Sequence, residues 1–129
     1  MTKKRLLIVD DELMLLYSLR RILGDTYDVT IAHGGQKALD IINAQDEKFD
    51  LILSDVSMPD INGVNVYLYI KKHYPGLEKN VVFMTGGPMS EYLDEFLVSN
   101  KAICMTKPFE PDKLLATLND IITSNSTQV

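Results

Sequence analysis

The sequence predicts one α/β domain, a parallel sheet covered on both faces by helices. Three observations predict it. Short apolar runs alternate five times with stretches of helical period, and the joints between them are short. The runs are apolar at successive positions, as strands buried on both faces require. Residues that carry chemistry (Asp10, Asp11, Asp55, Thr85 and Lys107) stand at the ends of four of these runs, where an open parallel sheet gathers its working groups.

In chain order, Arg5 to Val9 reads as the first strand, closed by Asp10, Asp11 and Glu12. Leu13 to Leu23 has helical spacing, with Leu15, Leu16, Leu19, Ile22 and Leu23 on one face and Gly24 as the stop. Asp28 to Ala32 is a short strand ahead of Gly34-Gly35, and Gln36 to Ala44 a helix with Ala38, Leu39 and Ile42 as its stripe. Leu51 to Leu53 is the core of the third strand. It ends at Asp55, and Met58-Pro59-Asp60 turns the chain out of extended structure. Val64 to Tyr74 is a helix entered through Gly63 and ended by Pro75-Gly76. Val81 to Met84 is a strand running into Thr85-Gly86-Gly87. Ser90 to Ser99 follows as an acidic helix, with Tyr92, Leu93, Phe96 and Leu97 expected to face inward. Ala102 to Met105 is the last strand, before Thr106-Lys107-Pro108-Phe109. Pro111 suits the first turn of the final helix, whose stripe is Leu114, Leu115, Leu118, Ile121 and Ile122. The domain is expected to occupy residues 1–123 and a disordered tail residues 124–129. The stripes are read as core, not as cofactor contacts.

Composition narrows the function. With 129 residues, 46% hydrophobic and 24% charged, the chain can build an ordinary globular core. Its net charge of -5 argues against nucleic-acid binding by this domain, because phosphate backbones need a basic face. The single cysteine, Cys104, excludes an internal disulfide and a thiolate metal cluster, and fits a reducing compartment. No apolar stretch approaches the ~20 residues that span a bilayer. The basic start leads into only Leu6 to Val9, too little for a signal peptide. The expected location is the cytoplasm, with no membrane partner.

If the strands are parallel, Asp10, Asp11, Asp55, Thr85 and Lys107 share one edge of the sheet. A lone acid at a strand end is ordinarily a helix cap or solvated, and Asp10-Asp11 alone could cap the first helix. Three gathered carboxylates repel one another, and a hard divalent cation removes that conflict. Few protein ligands with room for waters suit Mg²⁺ better than Ca²⁺. A carboxylate beside a cation and an ammonium group can attack phosphorus to give an aspartyl phosphate. Phosphoryl transfer needs charge neutralisation on the equatorial oxygens, which Mg²⁺ and Lys107 would supply, with a hydrogen bond from Thr85. His33 and His73 are expected in a loop and at a helix end, both solvated and neither placed as a base.

Leu7-Ile8-Val9-Asp10-Asp11-Glu12, Asp55-Val56-Ser57-Met58-Pro59-Asp60-Ile61-Asn62-Gly63, Val82-Phe83-Met84-Thr85-Gly86-Gly87 and Met105-Thr106-Lys107-Pro108-Phe109 stand in that order. They resemble the four signature segments of two-component response-regulator receiver domains, over about residues 4 to 123. The resemblance implies a flavodoxin-like (βα)5 three-layer sandwich with strand order 2-1-3-4-5. It implies that Asp55 is the phosphoacceptor and that Asp11, Asp55 and the backbone carbonyl of Ser57 bind Mg²⁺, with Asp10 acting through a metal-bound water. It further implies that Thr85 is the switch hydroxyl, that Lys107 pairs with Asp55 or its phosphate, and that Pro108 is a cis-proline. The partner implied is a histidine kinase or a histidine phosphotransfer protein, and a phosphorylation-dependent dimer is compatible with it. Such a module signals and is not an enzyme, catalysing only its own phosphorylation and dephosphorylation. Cys104 departs from the family, standing where receivers usually carry an aromatic switch. Phe83-Met84-Thr85-Gly86-Gly87 also looks like receivers of hybrid sensor kinases, which leaves open a free-standing receiver or a module excised from a kinase. Two other readings fit less well. A haloacid-dehalogenase-type phosphatase needs a second acid two residues after the nucleophile, where Ser57 stands. A flavodoxin-type mononucleotide binder needs a phosphate loop, where Asp10-Asp11-Glu12 would repel its ligand.

Overall fold

A computed structural model describes residues 3–44 and 48–126 of the chain. The apolar runs form β1 (Arg5–Asp10), β2 (Asp28–His33), β3 (Leu51–Asp55), β4 (Val81–Thr85) and β5 (Ile103–Thr106). Between and after them lie α1 (Leu13–Leu23), α2 (Gly35–Ala44), α3 (Gly63–His73), α4 (Glu91–Ser99) and α5 (Pro111–Ser126). All the pairings are parallel and the order is β2-β1-β3-β4-β5, so the expected flavodoxin-like sandwich is the fold. The register sets Asp10 beside His33, Val9 beside Ser54, Asp55 beside Met84 and Thr85 beside Thr106.

Alternate residues of each strand feed two cores. Leu6 and Ile8, Leu51 and Leu53, and Val82 and Met84 pack with Leu16, Leu19 and Leu23 of α1 and Leu114, Leu118 and Ile121 of α5. Leu7 and Val9, Ile52, and Val81 and Phe83 pack on the other face with Ala38 and Ile42 of α2, Tyr67 and Ile70 of α3 and Leu97 of α4. Burying each such large side chain is worth about 1.5–3 kcal/mol, so the period-two pattern fixes both faces at once. Among the described residues no helix is long and apolar enough to cross a membrane.

The structure departs from the sequence reading at the ends of elements. α2 and α3 begin on Gly35 and Gly63, one residue early, and Ser90 is the N-cap of α4, its hydroxyl accepting from the Leu93 N–H. A 3-10 turn at Leu77–Asn80 precedes β4. Tyr92 does not face inward but is 64% exposed, because it lies about 140° round the helix from buried Leu97. Ile22 is likewise half-exposed, about 100° from Leu23. α5 runs through Ser126, so the expected tail does not begin at residue 124. Once the Leu114–Ile121 stripe has anchored the helix, adding a turn at its end costs little. Residues 127–129 lie outside the described residues.

Candidate functional site

β1 and β3 are neighbours, and each ends in an aspartate. Asp10 is fully buried and Asp55 only 6% exposed. Both follow the alternation of Leu6–Ile8 and Leu51–Leu53, which puts them on the α1/α5 side of the sheet. Asp10 is not a cap for α1. The N-cap residue is Glu12, without a side-chain cap, and the Glu12 N–H donates to Asp10 Oδ1 at 2.8 Å. Asp10 Oδ2 accepts from Lys107 Nζ, also at 2.8 Å. One oxygen from each of Asp10, Asp11 and Asp55 lies within 4.8 Å of the others.

The remaining groups come from the β4 and β5 ends. The Lys107–Pro108 bond is cis, and the Lys107 N–H donates to the Thr85 carbonyl at 2.8 Å. Lys107 Nζ stands 3.7 Å from Asp55 Oδ1, so the expected Lys107–Asp55 pair is present, but the shorter contact is to Asp10. The Thr85 hydroxyl donates to the Gly87 carbonyl at 3.0 Å. After β3 the chain folds straight back onto its own end. The Val56 N–H donates to the Met84 carbonyl, and the Gly63 N–H to the Val56 carbonyl at 2.7 Å. A Cβ at Gly63 would lie 2.3 Å from the Asp55 carbonyl oxygen, so this return requires glycine. Asn62 then caps α3 by accepting from the Asn65 N–H. The result is an open cleft of about 470 Å³ bounded by Asp11, Glu12, Asp55, Ser57, Thr85 and Lys107.

The electrostatics follow from this crowding. Burial, then the charge of Asp10, push the Asp55 carboxyl up to about 6; Lys107 opposes the rise, Asp11 adds to it, and a hydrogen bond from the Ser57 N–H opposes it. Burial alone would lower the Lys107 pKa, but the hydrogen bond to Asp10 and the charges of Asp10, Asp55 and Glu12 outweigh it and raise it. Asp10, Asp11 and Asp55 thus crowd together with Glu12 nearby, and the acids outnumber the single ammonium group of Lys107. The donors are hard oxygens, with those of Asp11 and Asp55 lining an open cleft, which fits a hard divalent cation that keeps part of its water.

The other sequence candidates lie as follows. His33 is the last residue of β2, not a loop residue. It is exposed, with Nε2 2.9 Å from the Asp11 carbonyl oxygen; a carbonyl only accepts, so that nitrogen carries the proton. His73 ends α3 and stacks on Tyr69 at 4.3 Å. Cys104 is half-buried against the core, and burial followed by the charge of Asp55 pushes its thiol up, away from the reactive thiolate. The sequence reading saw Asp60 only as a turn residue. Its carboxylate accepts from the N–H groups of Gly35 at 3.2 Å and Gln36 at 3.0 Å, at the start of α2. The clue available was that α2 opens on glycine with no capping side chain beside it, so its first N–H groups take an acceptor from elsewhere in the chain.

This sheet, with an acid-lined cleft at the carboxyl ends of β1 and β3 and a lysine after β5, defines a signalling receiver. The chain matches the model of the response regulator receiver domain over residues 6–119 and belongs to that family of two-component systems. Among curated relatives it is similar to a probable transcriptional regulator, ycf29, of Pyropia yezoensis, at 30% identity over 119 residues, 92% of this chain and 53% of that one. It is similar also to the transcriptional regulatory protein DltR of Streptococcus agalactiae, at 32% over 113 residues, 87% and 49% respectively. The chain therefore spans about half the length of these relatives. Among solved structures, a CheY-like receiver domain protein of Methanospirillum hungatei superposes with a TM-score of 0.87 at 29% identity, covering 99% of this chain and 100% of that one. The chemotaxis protein CheY4 of Vibrio cholerae gives 0.75 at 28%, covering 93% and 99%.

Proposed function

We propose that this receiver takes a phosphoryl group onto Asp55 from the phosphohistidine of a histidine kinase or a histidine phosphotransfer protein. The observation that carries this reading is Asp55 itself: a carboxylate at the end of the central strand, facing an open cleft, with Lys107 Nζ at 3.7 Å and two further acids beside it. An Asp55 carboxylate oxygen attacks phosphorus, an acyl-phosphate P–O bond forms, and the P–N bond to the donor imidazole breaks, returning that electron pair to the ring. Asp10, Asp11, Asp55 and the Ser57 carbonyl would hold Mg²⁺, which when bound neutralises charge on the transferring oxygens.

The chain's own groups do the rest. Lys107 turns from Asp10 toward the phosphoryl oxygens, keeping the new charge paired. Phosphorylation adds about -1.5 to -2 of charge and three acceptor oxygens. Thr85 gives up the Gly87 carbonyl for one of them and carries the Gly86-Gly87 loop inward. Thr85 follows the alternation of Val81 and Phe83 on the face covered by α3 and α4, so its movement is delivered to that layer. The domain works in the cytoplasm without contacting nucleic acid itself, in keeping with its net charge of -5, and a phosphorylation-dependent dimer is compatible with this scheme.

Incubation with acetyl phosphate and MgCl2 tests the reading, with intact mass as the measure. One phosphoryl group should be added to the wild type and none to Asp55→Asn. Equal labelling of the two proteins would remove Asp55 as the acceptor.

A further inference from the structure

Asp60 and the junction of β2 with α2 (His33–Gly35) supply nothing to the cleft, yet that junction touches both segments that do. On one side, the Gly34 N–H donates to the Asp10 carbonyl at 3.0 Å and His33 Nε2–H to the Asp11 carbonyl at 2.9 Å, which ties the junction to the β1 acids. On the other side, Asp60 straddles the opening of α2, Oδ1 accepting from Gly35 and Oδ2 from Gln36. The fit there is close, since a Cβ on Gly35 would lie 2.5 Å from the Ile61 carbonyl oxygen. Asp60 lies three residues beyond Ser57, on the same short segment that returns to the end of β3 through Gly63. The Asp10–Asp11 turn and the Ser57 segment are thus clamped to a common third body.

We propose that Asp60 is a positioning residue for the cation site: by fastening the Ser57–Ile61 segment to the first N–H groups of α2, it sets the distance between that segment and the Asp10–Asp11 turn. This rests on the proposed Mg²⁺ site and deepens it. Two hydrogen bonds to a carboxylate at a helix N-terminus are charge-assisted and aligned with the helix dipole, so the clamp is stronger than an ordinary turn contact. The Gln36 N–H is the largest cause holding the carboxyl below its ordinary range, followed by the Ile61 N–H of its own segment, with Gly35 adding less. Without the clamp, the segment can drift and the ligands no longer converge on one ion. Groups that orient metal ligands from outside commonly change affinity about 10- to 100-fold; Asp60 acts through a loop, so the low end is expected.

Mg²⁺ titration of the full chain, followed by amide chemical shifts, tests this, with urea unfolding of the same proteins alongside. Asp60→Ala should weaken Mg²⁺ binding about tenfold. Asp60→Asn keeps one acceptor oxygen and should recover part of the loss, and it serves where the alanine variant fails to fold. The control is Asn43→Ala, which removes exposed hydrogen bonds to Tyr69 and Tyr74 far from the cleft; it should lose stability but keep wild-type affinity. Wild-type affinity in both Asp60 variants would overturn the proposal, as would an affinity loss in Asn43→Ala matching its stability loss. No saturable Mg²⁺ binding by the wild type would overturn the proposed cation site, and the clamp's role with it.

Discussion

Ionising Asp55 costs the folded chain free energy, and replacing it with asparagine should reveal how much. The carboxyl rises from 3.8 to about 6, with burial and then Asp10 as the main causes. At ~1.4 kcal/mol for each pH unit that is about 3 kcal/mol, and screening by water in the open cleft reduces it to about 1–2 kcal/mol. The sign follows from proton counting. Between pH 3.8 and about 6 the folded state holds a proton that the unfolded state has released, so stability contributed by neutral Asp55 is complete below 3.8 and is lost as pH rises through 6. The asparagine variant carries no proton at this position and loses nothing over the same range. Urea unfolding with a chelator present should therefore find wild type and Asp55→Asn nearly equal at about pH 4. The variant should be more stable by about 1–2 kcal/mol at pH 7, a rise in Tm of several degrees for a chain of this size. Millimolar Mg²⁺ should raise the wild type and close most of the gap. A gap that does not change between pH 4 and 7, or a variant less stable than wild type at pH 7, would refute the reasoning.

Three further outcomes are expected. Lys107→Ala strands the fully buried Asp10 carboxylate without its ammonium partner, so stability in chelator should fall by about 3 kcal/mol, and Mg²⁺ should recover part of it; unchanged urea midpoints would mean that the pair is unimportant. Gly63→Ala forces a Cβ to 2.3 Å from the Asp55 carbonyl oxygen and should lower stability by at least about 3 kcal/mol, whereas a variant within about 1 kcal/mol of wild type would mean that the turn relaxes freely. Beryllofluoride with Mg²⁺ should change amide exchange strongly over residues 85–91 and weakly over 102–105, because Cys104 is too small to follow the space left by Thr85; comparably large changes in both segments would show that Cys104 is no handicap.

The residues that set the fold were legible because their pattern is local. Leu6 to Val9 and Leu51 to Leu53 announce strands by unbroken apolarity, and the acids that follow them mark the edge where the cleft forms. The expected neighbourhood of Asp10, Asp11, Asp55, Thr85 and Lys107 needed only the inference that the strands are parallel. What escaped depends on distances between segments far apart in the chain. Lys107 has two acids in reach and nothing in the sequence ranks them; full burial of Asp10 puts the shorter contact there. Asp60 looked like a turn former because the N–H groups it satisfies lie 24 and 25 residues earlier. Tyr92 was misplaced for another reason: a helix rich in apolar residues offers more of them than one face can bury.

The alternation that splits the core into two layers also decides which changes the protein can tolerate. Asp10 and Asp55 share a face because each stands an even number of residues beyond the apolar positions that share it, Ile8 in one strand and Leu53 in the other. Deleting Ser54 from β3 would leave all three of its apolar residues and the same acid at its end, but would turn that acid toward the opposite layer. Substitution can thus tune this cleft by degrees, while a change in strand length abolishes it at once. Drift in length is left to the loops away from the cleft, and a redesign of this receiver that counts only hydrophobicity would miss the constraint entirely.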